Sequence, residues 1–152
     1  MRKDVDATGN RVARSGKLSS FRHDDVVWQV SFVETMKVKD GVICEVYAFE
    51  GDKSRDLAII HVEPSHTTPR QRVLKGNKTI EGFVSGNGSL IIEGAGESAV
   101  RYEFDDENGE SSDSVSVELG QIMQWQAGEA GLVFYEICEP PYEDGRFENI
   151  AD

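Results

Sequence analysis

Val26-Val27-Trp28-Gln29-Val30-Ser31-Phe32-Val33 and Val42-Ile43-Cys44-Glu45-Val46-Tyr47-Ala48-Phe49, parted by the turn residues Lys39-Asp40-Gly41, set the character of this chain. Both runs are dense in β-branched and aromatic residues and too short for stable helices, so they predict strands. The same rhythm continues outward. Glu50-Gly51-Asp52-Lys53 turns into Leu57-Ala58-Ile59-Ile60-His61-Val62, and Pro64 and Pro69 bracket a loop before Gln71-Arg72-Val73-Leu74. Thr79 to Ser85 and Ser89 to Ile92 read as a hairpin around Gly86-Asn87-Gly88, because Asn-Gly tolerates positive φ at both positions. Val100-Arg101-Tyr102-Glu103-Phe104 and Ser114-Val115-Ser116-Val117-Glu118-Leu119 alternate cleanly, and Leu132 to Cys138 is the last strong run before Pro140-Pro141 leaves the sheet. No segment keeps helical periodicity for three turns. Nine or ten short strands with turns between them indicate an all-β sandwich or barrel.

At 152 residues the chain has the size of one domain. Residues 1–25 are polar and broken by glycines, an N-terminal arm; 26–142 carry the barrel; 143–152 form a C-terminal tail able to fold back on it. Sixteen Lys and Arg against 28 Asp and Glu give a net charge of -12, which repels nucleic-acid phosphates and anionic membrane surfaces. No apolar run has the length of a membrane span, and no apolar region follows Met1-Arg2-Lys3 as a secretory signal requires. Cys44 and Cys138 lie singly in hydrophobic runs, read as buried thiols of a cytoplasmic protein, with a disulfide between neighbouring strands as the alternative. The acidic stretch Asp105 to Asp113 fits no calcium-loop pattern and reads as a solvated turn.

Two stretches carry more than strand pattern: Pro64 to Leu74 with Thr79 to Gly88, and Gly120-Gln121-Ile122-Met123-Gln124-Trp125-Gln126-Ala127-Gly128-Glu129-Ala130-Gly131. Together they resemble the two motifs of the cupin superfamily. The first runs from a glycine through His-x-His and a glutamate to a second glycine; the other runs from a glycine through Pro-x-Gly to a histidine and an asparagine. Glu81 falls on the motif glutamate, Gly88 on the glycine after it, and Gly120 and Gly128 stand at the separation of the second motif. The resemblance covers about residues 42–142 and implies a double-stranded β-helix, or jelly-roll barrel. It departs from the pattern at the metal: the histidine positions fall on Gln71, Val73 and Gly131, and the motif asparagine on Tyr135, with about three extra residues between Val73 and Glu81. One carboxylate and one amide cannot hold a divalent transition metal in the family's manner. The expectation is a barrel with no metal and no cofactor.

Within that frame, strand alternation turns the motif into a pocket. Gln71 with Val73, and Glu81 with Phe83, point inward, and Gly131, Val133, Tyr135 and Ile137 form another inward row. Leu90 and Ile92 follow on their strand, while Arg70 and Arg72 take the opposite parity and form surface ion pairs. His61 and His66 are candidate ligand contacts near the mouth, with a partly buried, hydrogen-bonded histidine as the plainer role. A few convergent polar groups in an apolar lining suit a small molecule. The resemblance implies three functional readings: metal-independent binding of a polar or carbohydrate-like ligand in a regulatory or accessory role, a sugar isomerase or epimerase, and a non-catalytic oligomerisation barrel. In the second reading a desolvated Glu81 is the general base, with Gln71, Arg70 or Tyr135 stabilising the oxyanion. The apolar Val26–Val33 strand suits the interface of a homodimer, which would cover its edge.

Overall fold

The computed structural model describes residues 18–94, 98–106 and 114–150. The greater part of the arm and most of the acidic stretch after Asp106 lie outside the described residues. All the named elements are strands: β1 (Ser20–His23), β2 (Val26–Lys39), β3 (Val42–Phe49), β4 (Asp52–Val62), β5 (Gln71–Val73), β6 (Lys78–Glu93), β7 (Val100–Asp105), β8 (Ser114–Ser116), β9 (Ile122–Glu139) and β10 (Phe147–Asn149). Every pairing is antiparallel, in the order β1-β2-β3-β4-β9-β5-β10, with β6 beside β9 and carrying β7 and β8. The all-β jelly-roll expectation holds.

The arm and the tail each contribute a strand. Ser20–His23 pairs with Val26–Gln29 across a two-residue turn in which Asp24 and Asp25 both have positive φ, 51° and 63°. That conformation matches the twist of a hairpin, and aspartate tolerates it better than most residues. The tail returns as β10 against β5, and Arg146 anchors it: this wholly buried guanidinium donates to the carbonyls of Lys78 and Pro140 and to the Thr79 hydroxyl.

The Asn-Gly hairpin is not formed. β6 runs unbroken through Gly86-Asn87-Gly88, because residues on both sides of it pair with the one long strand β9. The positive φ is used at Gly86 (90°) for a bulge, where Gly86 pairs with Leu132 next to Gly131 (78°), and a Cβ on Gly86 would land on the Gly131 carbonyl oxygen. Between Ala127 and Leu132 the second strand carries extra residues that Asn87 gathers, its Oδ1 accepting the Ala130 amide at 3.0 Å. A local turn signal has lost to long-range ladder pairing. Gly88 therefore permits the close approach of Gln126 rather than a hairpin, whereas Gly120 does mark a turn, with φ of 87°.

The strands carry two apolar faces. Val42, Ile60, Phe83, Leu90, Trp125 and Phe134 belong to an inner cluster. Phe21, Tyr47, Leu57, Ile59, Tyr135 and Ile137 belong to a second, on the other face of β3, β4 and β9, where β1 covers them. Among the described residues, strand β2 beyond Val30 has β3 on one side only, and Val33, Met36 and Val38 are exposed along it.

Candidate functional site

A cavity of about 410 Å³ opens into the inner face, within the range usual for small-molecule sites. Alternation places its walls. Glu34, Met36 and Val38 come from β2, Val42, Cys44 and Val46 from β3, and Asp56, Ala58 and Ile60 from β4. Phe134, Glu136 and Cys138 come from β9, with Trp125 and Met123 from its first half, and Glu81 from β6. Thr68, Pro69 and Gln71 close one side, and Tyr142 and Phe147 bring the tail to it.

Glu81 sits at the centre of the polar groups. It is 1% exposed, and its Oε1 accepts the Trp125 indole N–H at 2.8 Å. Its Oε2 has no hydrogen-bond partner. Directly across the ladder stands Glu136, whose Oε1 accepts a weak Cys138 Sγ hydrogen bond at 3.4 Å. Burial first, and then the charge of Glu136 and a hydrogen bond shared with it, push the Glu81 carboxyl well above the usual glutamate range. Burial likewise raises Asp56, against the Tyr142 amide that holds it at 3.0 Å. Trp125 is itself fixed by stacking on Phe134, ring centroids 4.4 Å apart, so the donor to Glu81 is held in place by packing.

Of the residues expected inside, Gln71 and Glu81 reach the cavity wall; Val73 and Phe83 are buried in the inner cluster beside it without lining it. Tyr135 corrects the inward row. It lies in the outer cluster with its ring edge on Phe21 and its hydroxyl 3.4 Å from His23 Nδ1, and with it go Val133 and Ile137. The bulge between Ala127 and Leu132 resets which residues of β9 face inward, so Phe134, Glu136 and Cys138 take the places expected of their neighbours. His61 also points away from the cavity, to Glu45 at 2.8 Å, while Ile60 and Val62 on either side face in. His66 lies over Gly41 with its Nδ1 on the Pro64 carbonyl oxygen at 3.0 Å, in an outer groove shared with His61. Neither histidine touches the cavity. Arg70 and Arg72 form the expected ion pairs, with Glu93 and Glu148.

Sequence reasoning missed Glu34, Asp56, Glu136, Trp125 and Tyr142. A signal existed for one of them: Glu136 interrupts an otherwise apolar run, and an acid there asks for a reason. Both cysteines are free and buried on the cavity wall; burial raises the Cys44 thiol to about 12 and moves Cys138 in the same direction.

The architecture matches solved structures. The capsular polysaccharide assembling protein CapF from Staphylococcus aureus superposes with a TM-score of 0.61 at 11% identity, over 80% of this chain and 35% of CapF. Bacillus subtilis oxalate decarboxylase, described for its Mn(II) centres, gives 0.60 at 16% identity, over 74% of this chain and 29% of the enzyme. A single-residue variant of Streptomyces PAC13, solved with uridine, gives 0.55 at 14% identity, over 78% of this chain and 84% of PAC13. The fold is cupin-like. No protein-family model matches the sequence, and no curated protein matches it. The chain spans about a third of the length of CapF and of the decarboxylase.

The positions where a cupin metal set would fall do not suit a metal here. Val73 and Gly131 offer no donor atom, and one oxygen of Glu81 already accepts an indole N–H. Among the described residues, no group of three or more His, Cys, Asp and Glu side chains is placed to hold an ion. No helix among them is long and apolar enough to cross a membrane.

Proposed function

We propose that this chain is a cupin-like barrel that binds a small polar molecule in its interior cavity without a metal ion. One observation carries the reading: a buried carboxyl, Glu81, presents an unpartnered oxygen to a cavity of about 410 Å³. An unpaired buried acceptor costs about 1–3 kcal/mol, a cost that a ligand or ordered water at Oε2 would offset. Apolar walls with a few carboxylates and one amide suit a carbohydrate-like body, whose carbons pack while its hydroxyls donate. The uridine solved with PAC13, a protein of similar fold, supports a polar ligand of that kind. A regulatory or accessory role in the cytoplasm, with buried free thiols kept reduced, fits this reading.

The test is a thermal-shift screen of sugars, amino sugars, sugar acids, nucleosides and small amines on metal-stripped protein with chelator present. A ligand that raises the melting temperature, and fails to do so in Glu81→Gln, supports the reading. A shift that appears only with stoichiometric metal overturns it, and so does a screen in which no compound acts.

The Glu81–Glu136 pair favours a second reading, an isomerase or epimerase. Two facing carboxyls, one with its proton affinity raised by burial, are the equipment for moving a proton beside a carbonyl. Tyr135 is removed from that scheme by its place on the outer face, and the Trp125 N–H is already donated to Glu81, which leaves the Gln71 amide, itself bonded to Asn149 at 3.1 Å, to meet an oxyanion. Turnover of any sugar abolished in Glu81→Gln would establish it. The Val26–Val33 edge expected for a homodimer is taken by β1 as far as Gln29, so the reading moves along β2, where a second copy would pair from Val33 to Val38; sedimentation equilibrium tests it.

A further inference from the structure

We propose that the ligand is an organic cation, a protonated amine carried on a compact ring or short carbon chain, with its ammonium group placed among Glu81, Glu136 and Asp56. This deepens the binding reading above and rests on it.

The cavity wall has four carboxylic side chains, Glu34, Asp56, Glu81 and Glu136, and no lysine, arginine or histidine among its described residues. Acids gathered on a surface need no ligand, since water and mobile ions serve them. Here one of them is 1% exposed and no protein group donates to its Oε2; the side chain it meets is a second carboxyl, Glu136, with which it can share a proton but which brings no donor of its own. The guanidinium whose charge is felt at Glu81 cannot move in to neutralise it. Arg146 is wholly buried and already donates to Pro140, Lys78 and Thr79, holding the tail.

The same wall discriminates between kinds of cation. A metal ion needs several donors converging at short range, and among the described residues no such cluster exists. The rest of the wall is mostly hydrocarbon and aromatic surface, Val42, Ile60, Met123, Trp125 and Phe134 among it, with Thr68 and Gln71 as polar exceptions. An ammonium with a carbon body can satisfy the carboxylates through its N–H groups, lay its body on those side chains, and gain from aromatic π density. The chain's net charge of -12 adds a field that draws cations and repels anions.

Three probes of one shape separate charge from fit: benzylammonium, benzyl alcohol and benzoate, titrated against the full chain while the indole N–H signal of Trp125 is followed by NMR. At about 50 mM salt, where screening is weak, benzylammonium should bind at least about tenfold more tightly than benzyl alcohol, and benzoate should not bind. Glu81→Gln should erode the preference. Glu34→Gln, at the exposed rim and so without consequence for folding, should erode it by a smaller factor. Benzyl alcohol binding as tightly as benzylammonium overturns the cation assignment and leaves the binding site standing. A preference unchanged in both variants also overturns it. Failure of all three probes to move the Trp125 signal overturns the assignment and the binding site together.

Discussion

The two faces of β3, β4 and β9 are built from alternate residues of the same strands and differ in what they leave undone. On the outer face Tyr47 and Tyr135 are buried, yet each hydroxyl has a partner: the Leu18 amide donates to Tyr47 at 3.0 Å, and His23 stands 3.4 Å from Tyr135. β1 lies over this face and fills it with Phe21. On the inner face a cavity remains, with two facing glutamates and one unpartnered oxygen. Both faces carry apolar clusters, but the outer one is closed by packing and satisfied hydroxyls, whereas the inner one leaves a carboxyl oxygen open beside a cavity.

The largest effect expected from breaking this division is on the packed face. Leu57 is fully buried there, and Leu57→Ala should cost about 3 kcal/mol in urea unfolding while leaving ligand affinity of the folded protein unchanged. Next comes the bulge that resets the alternation. Gly86→Ala forces a side chain into a left-handed conformation and onto the Gly131 carbonyl, for an expected loss of about 2 kcal/mol or more by the same assay. Unlike Leu57→Ala, it should also weaken binding, since Phe134, Glu136 and Cys138 take their inward direction from that bulge.

Glu81→Gln sharpens the comparison through pH. The folded protein holds the Glu81 proton more tightly than the unfolded chain, where the ordinary value is 4.5, so the folded state binds more protons between that value and the raised one. Stability contributed by this group is therefore greatest at acid pH and falls as pH rises through that window; Asp56, shifted the same way, adds to the slope. Glu81→Gln should flatten the fall and stabilise by about 1 kcal/mol at neutral pH, read from melts across pH. A variant with the wild-type slope would show that the proton is not held there. The smallest effect is at the rim of the tail, where Arg72→Ala removes a half-exposed ion pair with Glu148 and should cost under about 1 kcal/mol by urea unfolding.

Strand composition made the fold class readable, because β-branched and aromatic runs bounded by turn residues have few other uses. The resemblance to the cupin motifs at Glu81, Gly88, Gly120 and Gly128 implied the type of barrel too. What escaped was long-range. Asn87-Gly88 carries the stronger hairpin signal, yet Asp24-Asp25 makes the hairpin, because β9 pairs on both sides of Asn87 and nothing competes for His23 and Val26. The same bulge shifted the alternation of β9, and with it Tyr135 left the site and Glu136 entered it. Glu34 and Asp56 belong to strands paired far along the chain, so no local pattern brings them to Glu81. The pocket was legible where a motif fixed a position, at Gln71 and Glu81, and illegible where the sheet's register decided it.

The most direct measurement is a high-resolution crystal structure of protein purified without added ligand or metal. The expected result is density for a small molecule or ordered water within hydrogen-bond distance of Glu81 Oε2, in a cavity bounded by Trp125, Phe134 and Glu136. A metal ion held by those residues, or Met36 and its neighbours collapsed into the space, would contradict metal-free binding at this carboxyl.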